Sequence, residues 1–307
     1  MTKILFRSVR DNKLQEIETV KKGSWVNLVN PTQDELINLE KNYGLDADIL
    51  RDGVDQYESP RIEKEENSLY IFTRYSRPEG KNTSTEPLLI VLTVDFILTL
   101  SKHDPQPLQT LLISREIVTT QKNKLLLQIF SAINSGYRDH LLQVNRLILA
   151  SRARLQSKII QDDDLLTYID TEEDLNEFLV SLQPYGILLN TLVHAKYINF
   201  HEDDLDLVED LELSTSELIE LTKSRLKTLQ NLRDVYSTLV TNNLNRVFKR
   251  LTSIAIFLSV PTVIGGLYGM NVILPFSNHP HAFWIVFGII TVVVGIFVSV
   301  FRWRRWL

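Results

Sequence analysis

The chain has 307 residues, a formal net charge of −5 and no cysteine. Without thiols there can be no disulfides, thiolate metal centres or cysteine nucleophiles. The mildly acidic balance offers no basic surface for nucleic acid, so no nucleic-acid partner is expected.

The first 115 residues read as a mixed α/β domain. Runs rich in strand formers occur at Ile4–Val9, Trp25–Val29, Leu69–Tyr75, Leu88–Val94 and Phe96–Leu100. The last two, joined at Asp95, read as a hairpin. Thr32 with Glu35 three residues on is a capping-box pattern, which predicts a helix to Tyr43. Pro105 and Pro107 mark the end of this region.

Residues 116–204 read as a pair of cytoplasmic helices. One long segment is expected from about Pro107 to Ile160, with Leu125, Ile129, Ile133, Tyr137, Leu141, Val144 and Ile148 on one stripe. Asp162–Asp164 and the Thr171-Glu-Glu-Asp stretch suggest a solvated tip. A second helix returns through Leu175–Ile198, with Pro184 and Gly186 as a kink.

From Leu205 there is no proline until Pro261 and no glycine until Gly265. Val208, Leu211, Leu218, Leu221, Leu229, Leu232, Tyr236 and Leu239 recur at helical steps, with gaps. This predicts a stalk helix, 205–250, continuing into a membrane span; together they would extend on the order of 95 Å.

Between Leu251 and Phe301 there is no Asp, Glu, Lys or Arg. The apolar runs at 251–269 and 282–301 each have the length of a bilayer-crossing helix. Arg246, Lys249 and Arg250 precede the first; Arg302, Arg304 and Arg305 follow the second. The connecting loop, 270–281, carries no Lys or Arg. The positive-inside rule therefore places both termini and the basic tail, 302–307, in the cytoplasm and the loop outside. Tyr268, Trp284, Trp303 and Trp306 sit near the span ends, where interfacial aromatics belong. The N-terminal apolar stretch is too short for a signal peptide, so the first 250 residues are expected to stay cytoplasmic.

The expected fold class is thus an α+β membrane protein: an N-terminal α/β cytoplasmic domain, a long helical stalk and two C-terminal transmembrane helices. Two spans cannot enclose a water path, so transport would require an oligomer whose stalks bundle about an axis.

Stepping along the first span in threes and fours gives Asn245, Phe248, Leu251 or Thr252, Ala255, Ser259, Thr262 and Gly266. Such a small and polar stripe suits either close helix packing or the lining of a pore. The span ends in Gly269-Met270-Asn271. Gly269 with Pro275 nearby is consistent with a helix stop. The same helix end also points free carbonyls outward, favouring cations. A repeated Asn271 amide would hold the waters of Mg²⁺ without stripping them.

Tyr268-Gly269-Met270-Asn271 at this place resembles the signature of the CorA family of magnesium transporters. "DVYSTLVTNNLNRVFKRLT", "SVPTVIGGLYGMNV", the tail "FRWRRWL" and "ESPRIEKEENSLYIF" are also similar to family segments. The resemblance implies a homopentamer in a cell inner or plasma membrane, moving Mg²⁺ inward like a channel, with Co²⁺ or Ni²⁺ as further cargo. It implies a selectivity ring at Gly269, Met270 and Asn271, and a pore lined by Asn245, Thr252, Ala255, Ser259, Thr262 and Gly266. An apolar gate would lie at Phe248 and Leu251. Regulatory Mg²⁺ would bind between subunits at Asp52 and Asp210. The loop lacks the acidic residues common in relatives, and residue 248 is phenylalanine where relatives often have methionine.

No Walker A motif is present, and none is needed. An inside-negative potential favours divalent entry by roughly 4.6 kcal/mol per 100 mV. His279 and His281 read as plain loop histidines, and no nucleophile–base arrangement argues for an enzyme. The rival readings are transport of Co²⁺, Ni²⁺ or Zn²⁺ on the same scaffold, and a non-conducting, membrane-anchored ion sensor.

Overall fold

A computed structural model describes residues 2–79, 82–113, 117–156, 162–194, 197–272, 275 and 280–304. Trp306, Arg305, His279 and Ile160 lie outside them. The chain divides into two compact units, Met1–Arg233 and Asp234–Leu307.

The first unit is built on a seven-stranded sheet. Its strands are β1 (Thr2–Phe6), β2 (Gln15–Glu16), β3 (Ser24–Val29), β4 (Arg61–Glu65), β5 (Ser68–Glu79), β6 (Asn82–Leu92) and β7 (Phe96–Ser101). The spatial order is β2-β1-β3-β7-β6-β5-β4, and only the β3–β7 pair is parallel. The hairpin expected around Asp95 is β6–β7. Strands β2 and β4 were not anticipated: β2 has two residues, and β4 carries the charged sequence RIEKE.

Period-two alternation divides the sheet into two covered faces. Val26, Leu28, Tyr70, Phe72, Leu89 and Leu98 face one core, which includes Leu36 and Leu39 of α1 (Gln33–Tyr43) and Ile49 and Leu50 of α2 (Ala47–Asp52). The capping box at Thr32 and Glu35 forms as its spacing predicts. On the opposite face Trp25 Nε1 donates to Thr99 Oγ1 at 2.9 Å, and Thr99 Oγ1 donates to Asn27 Oδ1 at 2.9 Å. Two long helices, α4 (Lys122–Gln156) and α5 (Asp162–His194), contact β5 and β6.

Gly53, which caps α2, is a packing glycine. Its φ of −61° is ordinary. However, an added Cβ would sit 2.8 Å from Leu89 Cβ and Cδ2 and 3.1 Å from Leu100 Cδ2. Gly53→Ala is therefore expected to destabilise the protein by about 1–3 kcal/mol through overpacking. Thermal or urea unfolding against the wild type checks this.

Two expectations for the helical region are corrected. The segment expected to run unbroken from Pro107 to Ile160 is interrupted: α3 spans Gln106–Ile113, and α4 begins at Lys122. Between them Ile117-Val-Thr-Thr is β-branched and poorly suited to a helix. Thr119 instead pairs with the end of β1: its N–H donates to Arg7 O at 3.0 Å, and its hydroxyl accepts from Arg7 N at 2.9 Å.

The stretch Thr171–Asp174, expected near a tip, lies inside α5, which begins at Asp162 and runs through Pro184. Glu172 pairs with Arg233 of the next long helix, while Asp174, with Glu177 one turn further on, has its partner on the sheet. Strand β6 is longer than its neighbour: β7 pairs only with Leu88–Leu92. The N–H groups of Thr83 and Thr85 would otherwise be unpaired on that edge. Asp174 Oδ2 accepts from Thr83 N at 3.0 Å and Glu177 Oε1 from Thr85 N at 2.5 Å.

Burial, reinforced by Glu177, Asp170 and Glu173, pushes the Asp174 pKa up to about 6. A raised acid penalises the folded state once ionised. This penalty is absent below the ordinary aspartate range, grows through pH 4–6 and is complete above about pH 6. Asp174→Asn is expected to stabilise by about 1 kcal/mol at pH 7.5, discounted for solvent screening. The gain should disappear by about pH 4. Melting curves at both values test it.

The last two helices are α6 (Glu202–Tyr268, 67 residues) and α7 (Ala282–Trp303). In the first unit, Val208, Leu211, Leu218, Leu229 and Leu232 of α6 are buried, as their spacing predicts. Where α5 meets α6, a Cβ on Gly186 would lie 3.3 Å from Ile219 Cδ1. An α/β domain, a long helix and two C-terminal apolar helical segments agree with the coarse architecture expected from the sequence.

Candidate pore helix and regulatory carboxylates

Both α6 and α7 are long and apolar enough to cross a membrane. Their apolar windows are 6% and 0% buried, respectively, so neither segment behaves as the covered core helix of a water-soluble protein.

Within the second unit α6 has distinct sides. Ser253, Ile256, Phe257, Val260, Ile264 and Tyr268 are buried or half-buried. This side is joined to α7 and the following turn: the Phe257 and Phe301 rings lie 5.6 Å apart, and Tyr268 Oη donates to Pro275 O at 3.2 Å. At 100° per residue, Ala255, Ser259, Thr262 and Gly266 lie on roughly the opposite side of the helix, with Thr252 and Asn245 flanking them about a quarter-turn round from the buried side. All of these residues are exposed, and so are Phe248 at 61% and Leu251 at 57%.

Two observations bear on packing as the alternative role of the stripe. A Cβ built on Gly265 or Gly266 meets nothing within 4 Å, so neither glycine admits a close approach by α7. The hydroxyls are also satisfied by their own helix: Ser259 Oγ donates to Ala255 O at 2.7 Å and Thr262 Oγ1 to Leu258 O at 2.8 Å. With their protons committed, these oxygens present lone pairs outward.

At the end of α6, Gly269 N–H is shared between Gly265 O at 3.0 Å and Gly266 O at 3.2 Å, and Met270 N donates to Leu267 O at 3.2 Å. The left-handed glycines among the described residues are Gly23 and Gly44. Gly269 follows the last residue of α6, Tyr268, without the left-handed conformation that glycine caps often adopt. A Cβ there would have ordinary contacts, 3.4 Å from Gly265 O and 3.6 Å from Gly266 O. The local backbone thus does not demand glycine at 269. Met270 and Asn271 follow, both exposed. Among the described residues the Asn271 amide has no hydrogen-bond partner.

The two carboxylates expected to bind regulatory ions lie on different elements. Asp52 ends α2, and Asp210 is an exposed residue of α6. Asp52 Oδ2 accepts from Arg61 Nη2 at 2.9 Å. Arg61 also pairs with Glu58 and, through Nε, with Glu63 Oε1 at 2.6 Å. Among the described residues no hydrogen bond or ion pair joins Asp52 to Asp210, and no group of three or more His, Asp or Glu side chains is placed to hold a metal within the chain. Sequence reasoning did not anticipate Arg61. Its signal was the alternation of charges in Glu58–Glu65, which the formation of β4 converts into a cluster.

A family model described as CorA-like Mg²⁺ transporter protein matches residues 20–305. The chain belongs to this family. CorA-like proteins are transporters, not enzymes, and the chain shares the architecture of solved CorA structures. It is 27% identical over 302 residues to the cobalt/magnesium transport protein CorA of Methanocaldococcus jannaschii, covering 92% of this chain and 91% of that protein. It is 21% identical over 304 residues to the magnesium transport protein CorA of Helicobacter pylori, covering 92% and 90%. The complete structure of the CorA magnesium transporter from Methanocaldococcus jannaschii matches with a TM-score of 0.85 at 24% identity, covering 100% of this chain and 99% of that one.

Proposed function

We propose that this chain is the subunit of a homopentameric, channel-like Mg²⁺ uptake protein of the inner or plasma membrane, with both termini in the cytoplasm. The observation that carries the reading is the exposed small-polar side of α6, away from α7 and ending at Gly269-Met270-Asn271. In a ring of subunits this side lines the axis. The Asn271 amides bind the outer face of hydrated Mg²⁺, because the ion gives up its waters reluctantly. Hydroxyls at Ser259 and Thr262 offer acceptors to the same waters, and Asn245 forms a polar ring at the inner end. Phe248 and Leu251 form an apolar constriction that closes by dewetting. The name of the Methanocaldococcus jannaschii relative supports Co²⁺ as a second cargo.

Cytoplasmic Mg²⁺ closes the channel by bridging Asp52 of one subunit to Asp210 of the next. The exposure of both carboxylates supports this reading, as an ion between subunits needs accessible ligands. Arg61 must share or release Asp52 when the ion binds. Asp52→Asn with Asp210→Asn is expected to raise the cytoplasmic Mg²⁺ needed for half-closure at least about threefold.

Reconstitution in Mg²⁺-indicator liposomes tests the whole reading. The expected result is Mg²⁺ entry that falls as Mg²⁺ is added on the cytoplasmic side, from a species of five chains by native mass spectrometry. Absence of Mg²⁺, Co²⁺ and Ni²⁺ flux through correctly inserted oligomers would refute transport and favour an ion sensor.

A further inference from the structure

A cavity of about 470 Å³ opens between β5, α3 and α4, apart from the residues of the proposed pore and of its regulation. Gly136 lies on its floor: a Cβ there would sit a tight 3.1 Å from both Pro107 Cγ and Ser76 Oγ, so the glycine eases the close approach of α4 to the sheet. Ser76 lines the cavity, is 1% exposed, and its hydroxyl has no hydrogen-bond partner. A buried hydroxyl without a partner is uncommon and carries a desolvation cost that a ligand would relieve.

The remaining polar lining combines acceptors with the amides of Gln106, Gln128 and Gln143, which can turn either an oxygen or an NH2 group to a ligand. His140 is 8% exposed, and its Nδ1 lies 3.0 Å from Gly136 O. A carbonyl only accepts, so Nδ1 carries the proton and Nε2 retains a lone pair. Burial lowers the His140 pKa, which favours the neutral ring. Thr110 Oγ1 donates to Gln106 O at 3.4 Å and Ser135 Oγ to Ser131 O at 3.0 Å, leaving both oxygens as acceptors. Asp139 adds a carboxylate to the lining. Pro78, Pro107, Leu111 and Ala132 supply apolar wall between these groups.

A lining that holds one carboxylate and no Lys or Arg, with amides and hydroxyls able to accept, favours a cationic ligand with N–H donors. The apolar wall selects methylene groups, which a hydrated metal ion does not have. We propose that this cavity is a binding site for a small aliphatic amine carrying two or more amino groups. One ammonium pairs with Asp139, a second N–H group reaches His140 Nε2, and the methylenes lie on the prolines and Leu111. This site is independent of the transport reading, since binding is measured without flux.

Isothermal titration of putrescine and of spermidine into the full-length protein in detergent, at physiological salt, is the test. Saturable binding of one amine per chain is expected. Asp139→Asn should weaken it at least about tenfold, and Ala132→Phe should block it by filling the cavity. Asp34→Asn, on α1, should leave it unchanged. Absence of saturable binding by either amine overturns the proposal, and so does binding indifferent to both cavity variants. An Asp139-dependent signal from MgCl₂ alone, with none from the amines, would also overturn it by reassigning the cavity to a hydrated cation.

Discussion

Asn271→Ala should reduce Mg²⁺ flux by at least about 100-fold while leaving the subunit folded and its oligomer intact. The loss follows from repetition. Each amide contributes one hydrogen bond to the ion's hydration shell, with a net value of roughly 0.5–1.5 kcal/mol. A ring of five such bonds removed together amounts to several kcal/mol, and a 100-fold effect requires only about 2.7 kcal/mol. Stability should hardly change, because Asn271 is exposed and has no partner among the described residues. Surface changes of this kind are usually within about 0.5 kcal/mol. Indicator liposomes give the flux, and circular dichroism with native mass spectrometry gives fold and assembly. A variant retaining a third or more of wild-type flux would remove Asn271 from the conduction path.

The second large effect is expected at the inner end of the pore helix. Phe248→Asn together with Leu251→Asn should raise flux about tenfold under cytoplasmic Mg²⁺ that closes the wild type. Both side chains are more than half exposed in the subunit, so neither holds its fold together. Around an axis they would form the narrowest apolar segment, where the barrier is the absence of water rather than a steric plug. Amide side chains wet that segment. Closure should then fail even if ion binding at Asp52 and Asp210 is intact, which separates the gate from the sensor. Unchanged closure in the double variant would place the gate elsewhere on α6.

The two sets of variants also distinguish between uses of the same stripe. If Ser259, Thr262 and Gly266 served only to pack subunits together, Asn271→Ala would leave flux intact, and substitutions in the stripe would alter oligomer size. If the stripe lines water, the oligomer persists and flux changes.

Much of this protein was legible in its sequence wherever the governing physics is local. The capping box at Thr32 and Glu35 forms because a hydroxyl and a carboxylate three residues apart satisfy each other's neighbouring N–H groups. The buried positions of α6, from Val208 to Leu232, follow from helical periodicity alone. The two apolar helices follow from composition, since a charge-free run of that length needs no tertiary partner to be recognised. The Gly-Met-Asn motif carried the family for the same reason: its residues are contiguous.

Other features depend on which residues meet across the chain, and only the tertiary structure decided them. The acids of Thr171–Asp174 read as a solvated tip, yet Asp174 and Glu177 close an open sheet edge, because β6 outruns β7 by several residues. The break between α3 and α4 depends on Thr119 finding Arg7, more than 100 residues earlier. Asp52 looks like a free carboxylate until β4 brings Arg61 beside it. The side of α6 left clear of α7 was likewise undetermined by the stripe itself, because small and polar residues suit packing and lining equally well. The contacts of Phe257 with Phe301 and of Tyr268 with Pro275 commit one side of the helix to the neighbouring span within the subunit, and leave the stripe's use to the flux and oligomer measurements.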